Sequence, residues 1–335
     1  MGNFTAPQIT GTMLNLLEQI GELLGRLAER YPAQYDLTLR RVSRIKTIQG
    51  SLQIEGNPLT VEQVTAVLDG KRVLAAPRDV QEIHNAMAAY DGLATWTPEF
   101  QADLLTAHAL MMKGLVDDSG QYRSSSVGVK KGESVVHVAP PAHMVNPLMS
   151  ELFRFIGKLE THPLIKSCIF HYEFEYIHPF SDGNGRMGRL WQTLILSKWK
   201  PIFQDIPVES VIKEHQQEYY DVLNQSNREN HAGSFIEFML KIIHETLCDI
   251  AAQETPVKVS VAPPVKQLLK LLNNAGASGN QEILKHLKLK DRRRMRESYI
   301  KPAMEQGFIE YTIPDKPNSR NQQYRLTIEG KKWIS

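Results

Sequence analysis

Residues 178–189 read His178-Pro179-Phe180-Ser181-Asp182-Gly183-Asn184-Gly185-Arg186-Met187-Gly188-Arg189. Pro179 fixes its own φ and disfavours helix at His178, so the apolar helical run over 164–176 must stop there. The Gly183-Asn184-Gly185 run permits a tight turn, and 186–198 reads as a new helix with Leu190, Leu194 and Ile195 facing inward. A glycine turn feeding a helix N-terminus presents free N–H groups and the positive dipole end, which suits phosphate. Arg186 and Arg189, three apart, share a helix face and can grip one polyphosphate. Asp182 is placed to carry Mg²⁺ between phosphate oxygens. His178 is the side chain of this stretch whose ordinary pKa suits a general base near neutrality, and Phe180 anchors the loop to the core. A lone His-Pro or Gly-Asn-Gly is usually structural. The whole set in register points instead to a nucleoside triphosphate site with a base that deprotonates a hydroxyl.

The stretch resembles the signature of the Fic/Doc superfamily, H-P-F-x-[D/E]-G-N-[G/K]-R followed by x-x-R, and matches it without a gap. Chance agreement is on the order of 10⁻¹⁰ per starting point. The resemblance implies a protein adenylyltransferase that binds ATP and Mg²⁺, moves AMP to a Ser, Thr or Tyr hydroxyl of a target protein or of itself, and releases pyrophosphate. It assigns His178 as the catalytic base and Asp182 as the metal carrier. Gly183, Asn184 and Gly185 become the anion hole, Arg186 and Arg189 the terminal-phosphate ligands, and Met187 and Gly188 part of the same ATP-binding run. Catalysis would be positioning and charge neutralisation at phosphorus. Gly185, in place of the lysine of the Doc subgroup, favours AMP transfer over phosphate transfer.

The implied fold is mainly α, a Fic core with a β-hairpin flap plus a C-terminal winged helix–turn–helix. At 335 residues the chain is long enough for two or three domains. A formal net charge of +2 does not argue for nucleic acid. The two cysteines, Cys168 and Cys248, lie in helical apolar patterns and are expected as buried reduced thiols. The N-terminus lacks a signal-peptide pattern and no apolar run suffices to span a bilayer, so the expectation is a cytoplasmic protein without a membrane partner. Homo-oligomer formation is left open.

Helices are expected over 9–31, 37–55, from Thr60 with Gln63 completing a capping box, and over 79–95 and 100–115. Two β-prone runs, 126–129 and 134–138, flank a Gly-containing loop and read as a hairpin. In similar Fic proteins this hairpin is the flap that docks the target's backbone, here through Ser126, Val127, Gly128 and Val129. A helix over 214–227 carries Tyr220 and Asn227, which the resemblance places near the nucleotide, and 234–248 closes the core. Prolines mark a linker. Beyond it, three helices and two strands look like a winged helix, with Arg292, Arg293, Arg294 and Arg296 on the third helix. Helix charge runs are usually solvated faces, so DNA binding is not the favoured role. The domain boundaries are 1–98 for an N-terminal helical region, 99–250 for the Fic core (flap 124–141), 251–264 for the linker and 265–335 for the winged helix.

Upstream, Ser51-Leu52-Gln53-Ile54-Glu55-Gly56 matches the inhibitory pattern [S/T]-x-x-x-E-[G/N] of autoinhibited Fic proteins. Glu55 sits at a helix C-terminus, where the dipole disfavours negative charge, a local conflict that hints at function. The expected partner is Arg186, with Ser51 orienting the carboxylate from one turn back. The rival readings are a ligand-sensing transcriptional regulator acting through the winged helix, and removal of AMP by the same site with Glu55 aligning a water.

Overall fold

The computed structural model describes residues 4, 7–30, 37–125, 128–131, 134–252, 263–289, 291–313, 319 and 322–334. The chain divides into two units, Met1–Arg30 with Val42–Ala252, and Tyr31–Arg41 with Gln253–Ser335.

The first unit is almost wholly helical. Its elements are α1 (Gly11–Arg30), α2 (Leu37–Ile54, from Val42 onward in this unit), α3 (Val61–Leu68), α4 (Pro77–Asp91), α5 (Gln101–Met111), strands β1 (Gly128–Lys131) and β2 (Ser134–Val138), then α6 (Ala142–Lys158), α7 (Pro163–Ile177), α8 (Asn184–Trp199), α9 (Val208–Glu214), α10 (Gln216–Glu229) and α11 (Gly233–Ala252). The Thr60–Gln63 capping box forms, the Thr60 hydroxyl accepting from Gln63 N–H and the Gln63 side chain from Thr60 N–H.

Three elements differ from the sequence reading. Helix α6, for which the sequence reading has no counterpart between the hairpin and residue 164, carries Pro147 inside it. An internal proline costs about 3 kcal/mol. Val145, Leu148, Met149, Leu152, Phe153 and Ile156 are buried at helical spacing, and each contributes about 1.5–3 kcal/mol, so burial wins. The expected helix over 214–227 forms as α10, and the short α9 ahead of it, which the sequence reading lacked, ends at Glu214 beside His215. Helix α8 is not amphipathic: every residue from Arg186 to Ser197 is buried, so it runs through the middle of the unit and its polar side chains must all find partners inside.

Strands β1 and β2 pair antiparallel, with Gly128 opposite Val138 and Lys131 opposite Ser134. Lys130 and Lys131, expected in the turn, belong to the strand, and the expected docking residues Ser126 and Val127 lie outside the described residues.

The second unit contains α12 (Pro263–Ala275), β3 (Ser278–Gly279), α13 (Asn280–His286), α14 (Arg292–Met295) continued by a π turn (Arg296–Ile300) into α15 (Lys301–Glu305), β4 (Ile309–Tyr311), β5 (Gln323–Leu326) and α16 (Ile328–Ile334). Its own core holds Val265, Leu268, Leu269, Ile283, Met295 and Ile300. The antiparallel sheet has three strands in the order β3-β5-β4, one more than the sequence reading expected, since the two-residue β3 is too short to leave a pattern. Arg292, Arg293, Arg294 and Arg296 are exposed.

Candidate functional site

Helix α7 ends at His178, which takes the left-handed conformation (φ 50°, ψ 61°) ahead of Pro179, its N–H donating to Phe174 O at 2.9 Å. A histidine enters this region more readily than most residues, but the conformation needs support. The loop supplies it. The Asn184 side chain accepts from Phe180 N–H and donates to Phe180 O, both at 2.9 Å. The fully buried Phe180 ring stacks on His108 at 3.6 Å. His108 Nδ1 accepts from Gly120 N–H at 2.8 Å, so its Nε2–H donates to Asp182 O at 3.0 Å. Burial lowers the His108 pKa to about 4, which keeps that tautomer neutral. Gly183 is left-handed (φ 84°) and opens α8. In a helix the first N–H groups lack an internal partner, so those of Asn184, Gly185 and Arg186 begin the anion-facing turn. Met187 contributes to the core instead: its side chain is fully buried and its N–H donates to Gly183 O at 3.0 Å.

The two motif arginines lie in separate sockets. Arg189 donates to Glu55 Oε1 at 2.6 Å, to Ser51 Oγ at 3.2 Å and to Ser51 O at 3.1 Å. This corrects the expected pair, because Glu55 meets Arg189 and not Arg186, and Ser51 holds the guanidinium and not the carboxylate. The reason is geometric. The tip of α2 reaches the row of α8 that carries Gly185 and Arg189, four apart, and a Cβ at Gly185 would collide with Glu55 Oε1. The Glu55 carboxylate therefore rests on the first turn of α8.

Arg186 turns to α4. It donates to Asp182 Oδ1 at 3.0 Å and Glu82 Oε1 at 3.4 Å, while Arg78 lies 3.4 Å from Asp182 Oδ2 and 3.7 Å from Glu82 Oε1. The four charges close a ring on the wall of a polar cavity of about 220 Å³ that Glu55 and Asn57 also line. Asn57 donates to Glu82 Oε2 at 2.9 Å. Arg186 Nε is buried without a hydrogen-bond partner among the described residues. Sequence reasoning missed Arg78, Glu82 and Asn57; the one available signal was the Arg78/Glu82 pair at i, i+4 in the first turns of α4.

Behind His178 lies a second group that sequence reasoning missed. Glu175 Oε2 is 3.9 Å from His178 Nδ1 and its Oε1 is 3.9 Å from His171 Nε2. His171, fully buried, donates from Nδ1 to Gln192 Oε1 at 2.7 Å and accepts at Nε2 from the Tyr219 hydroxyl at 3.0 Å. Burial lowers its pKa to about 3. Burial raises that of Glu175 to about 8, Arg189 opposing and Glu55 reinforcing the shift. Gly188, expected against the nucleotide, lets this group approach, since a Cβ there would sit 2.9 Å from both Glu175 Oε1 and His171 Cδ2.

Tyr220 stands at the tip of α2, its hydroxyl 3.5 Å from Ile54 O and from Gln216 Nε2. Asn227 Oδ1 is buried with no hydrogen-bond partner among the described residues, so an incoming donor would complete it. Helix α10, which carries both, packs against β2 of the hairpin. Cys168 is buried and Cys248 half-buried, and both thiols are free. No described helix is long and apolar enough to cross a membrane.

The Fic/DOC family model matches residues 76–196, and a model for the C-terminal domain of Fic-like "filamentation induced by cAMP" proteins matches 263–327. A Fic family protein of Desulfovibrio desulfuricans G20, solved by crystallography, is 46% identical, with a TM-score of 0.74 over 97% of this chain and 98% of that one. The chain belongs to the Fic family. Among curated relatives, a protein adenylyltransferase Fic of Culex quinquefasciatus is 29% identical over 63% of this chain and 43% of its own length. Its counterpart in Nematostella vectensis is 26% identical over 62% and 49%. This Fic chain thus spans less than half the length of the curated relatives it matches. Fic-1 of C. elegans shares the fold at 20% identity and a TM-score of 0.59 over 72% of each chain.

Proposed function

We propose that this protein transfers AMP from ATP to a Ser, Thr or Tyr hydroxyl of a target protein or of itself, and that Glu55 restrains the reaction in cis. The carrying observation is the Glu55–Arg189 contact of 2.6 Å laid over Gly185. A carboxylate rests there on a helix N-terminus and a guanidinium, groups that would otherwise serve a phosphate.

In the reaction, the hydroxyl oxygen attacks the α-phosphorus, the bond from that phosphorus to the β-phosphate bridging oxygen breaks, and pyrophosphate leaves. His178 takes the hydroxyl proton at Nε2, because its Nδ1 faces Glu175. The first turn of α8 binds phosphate oxygens, and Arg189 grips the terminal phosphate once Glu55 has moved away. Arg186, whose Nε–H is unsatisfied, donates to a further phosphate oxygen. Asp182 suits Mg²⁺: it is 41% exposed beside the polar cavity, and this ion is commonly held by one carboxylate together with phosphates and water. When bound there, the ion would neutralise phosphate charge. Tyr220 and Asn227 fit the adenosine side, and the hairpin edge fits an extended target segment. Gly185 keeps the first turn open for AMP transfer.

The test is incubation with α-labelled ATP and Mg²⁺. Label should appear on the protein itself or a target, more strongly in Glu55→Gly, and vanish in Glu55→Gly/His178→Ala. Undiminished labelling without His178, or label delivered only from the γ-phosphate, would overturn the reading.

A second reading rests on the exposed Arg292, Arg293, Arg294 and Arg296 of a winged-helix-like second unit. If it is a DNA reader, the full chain binds duplex DNA selectively near physiological salt and loses this on replacing Arg292 and Arg296. Weak binding with a steep salt dependence returns those arginines to a solvated face.

A further inference from the structure

Arg123 lies outside the motif and outside every site residue expected from sequence, yet it is only 3% exposed. Its side chain is spent on carbonyl oxygens. Nε donates to His178 O at 2.8 Å, one terminal nitrogen to Ser125 O at 2.9 Å, and the other to Pro140 O at 2.6 Å and Ile177 O at 3.3 Å. Its backbone N–H donates to Pro179 O at 3.0 Å. Among the described residues no carboxylate pairs with it. A buried cation without a counter-ion is costly, and here four directed carbonyl dipoles replace the lost water.

The identity of those carbonyls gives the arrangement its meaning. Ile177 ends α7 and His178 is the residue held in the left-handed conformation. Ser125 precedes the hairpin and Pro140 follows it, so both roots of β1–β2 and the backbone of His178 meet on one planar group. Such a conformation at a residue before proline costs about 1–3 kcal/mol and persists only where its surroundings determine it. We propose that Arg123 is a positioning residue that fixes the His178 imidazole relative to the hairpin, so that a hydroxyl presented on the hairpin edge meets Nε2 at reacting distance. This rests on the AMP-transfer reading above. Nothing in the arrangement touches the phosphate cradle, so the residue should act on the reacting geometry and not on nucleotide binding.

The experiment uses the full chain in the Glu55→Gly background, with Arg123 or with Arg123→Lys. Lysine keeps the charge but lacks the planar fork needed to serve carbonyls on several sides. Transfer from α-labelled ATP is measured beside the Kd of a non-hydrolysable ATP analogue and amide hydrogen exchange of β2 and α8. A misplacement of about 1 Å costs about 10²-fold. The expected result is therefore a kcat lower by roughly that factor, KM for ATP and analogue Kd within about twofold, and faster exchange in β2 with α8 unchanged. Unaltered kcat, or a parallel loss of analogue binding, would overturn the proposal. If Arg123→Lys does not fold, a glycine inserted after Ser125 frees the hairpin root while leaving the arginine. The same split is then expected, and unaltered kcat again counts against it. If the Glu55→Gly parent transfers no AMP, the AMP-transfer reading has failed on its own. The linkage is then judged by β2 exchange and the His178 ring resonances by NMR, which must both change with Arg123→Lys.

Discussion

Arg186 and Arg189 stand three residues apart on one helix, and each is only 2–3% exposed, yet they are held in different ways. Arg186 is held by the motif itself, through Asp182, and by α4, through Glu82, at 3.0 and 3.4 Å, with one donor left over. Arg189 is held by a segment 134 residues upstream, at 2.6 Å, with the Ser51 hydroxyl and carbonyl completing its bonds. One socket is a loose charge ring on a cavity wall, ready to exchange partners. The other is closed by a carboxylate from a different element, which on the proposed reading leaves before phosphate binds. Two arginines one turn apart thus take unlike sockets, one bonded to a distant segment and the other to Asp182 of its own motif and Glu82 of α4.

The largest expected effect breaks the Arg189 socket. Glu55→Gly should raise AMP transfer at least about tenfold, and adding Arg189→Ala should lower it by about 10²–10³, the usual cost of losing one donor to a developing charge. Steady-state labelling with α-labelled ATP checks this, and a gain that survives Arg189→Ala would mean that Glu55 acts elsewhere.

Gly50→Ala tests what presses α2 into place. A Cβ there would lie 2.7 Å from Ser210 N, a backbone atom that cannot step aside. Overpacking of this kind costs about 1–3 kcal/mol. It should push the α2 tip from α9 and the start of α10, where Lys213 and Gln216 respectively donate to the Gln53 and Ile54 carbonyls. Lower thermal stability together with partial derepression is the expected result, read by calorimetry and labelling; a stability loss with fully repressed transfer would detach α2 packing from control.

On transfer itself Glu175 is expected to act less, and its effect is read as a pH dependence of stability. Its pKa is raised from 4.5 to about 8, so the folded state binds the proton more tightly than the unfolded chain. The stability this contributes is complete below about 4.5 and is lost as pH rises towards 8. Glu175→Gln should flatten that part of the curve. Glu173, raised to about 7 by burial, leaves a residual slope of the same sign. Glu55→Gly should also soften the slope, because removing one carboxylate beside Arg189 lets the other ionise. Urea unfolding across pH 5–9 measures all three proteins, and an unchanged slope in Glu175→Gln would refute the assignment.

Arg78→Ala should do least. Arg78 is 59% exposed, so stability should change by no more than about 0.5 kcal/mol. Because it lies on Asp182 Oδ2, its loss should lower the Mg²⁺ concentration for half-maximal analogue binding by roughly twofold, the equivalent of that energy. A raised requirement would show that Arg78 assists the metal.

The sequence by itself determined the elements whose causes are local. Pro179 stops α7, Gly183 opens α8, Thr60 and Gln63 cap α3, and the spacing of α1 and α12 names their buried faces. The motif's residue types are equally legible, since they are the ones that the proposed phosphate, metal and base chemistry requires. Tertiary structure alone decided which groups meet. No spacing rule pairs Glu55 with Arg189, brings Glu82 and Arg78 to Asp182, or sets Glu175 behind His178. Arg123 was invisible for a further reason: its partners are backbone carbonyls, which every residue carries, so nothing in the letters marks them. Helix α6 forms despite Pro147, which disfavours it locally, because six apolar residues at helical spacing are buried. Local steric rules act over a few residues and leave a pattern in sequence, whereas the contacts that position a site depend on helix approach and emerge only when the chain has closed upon itself.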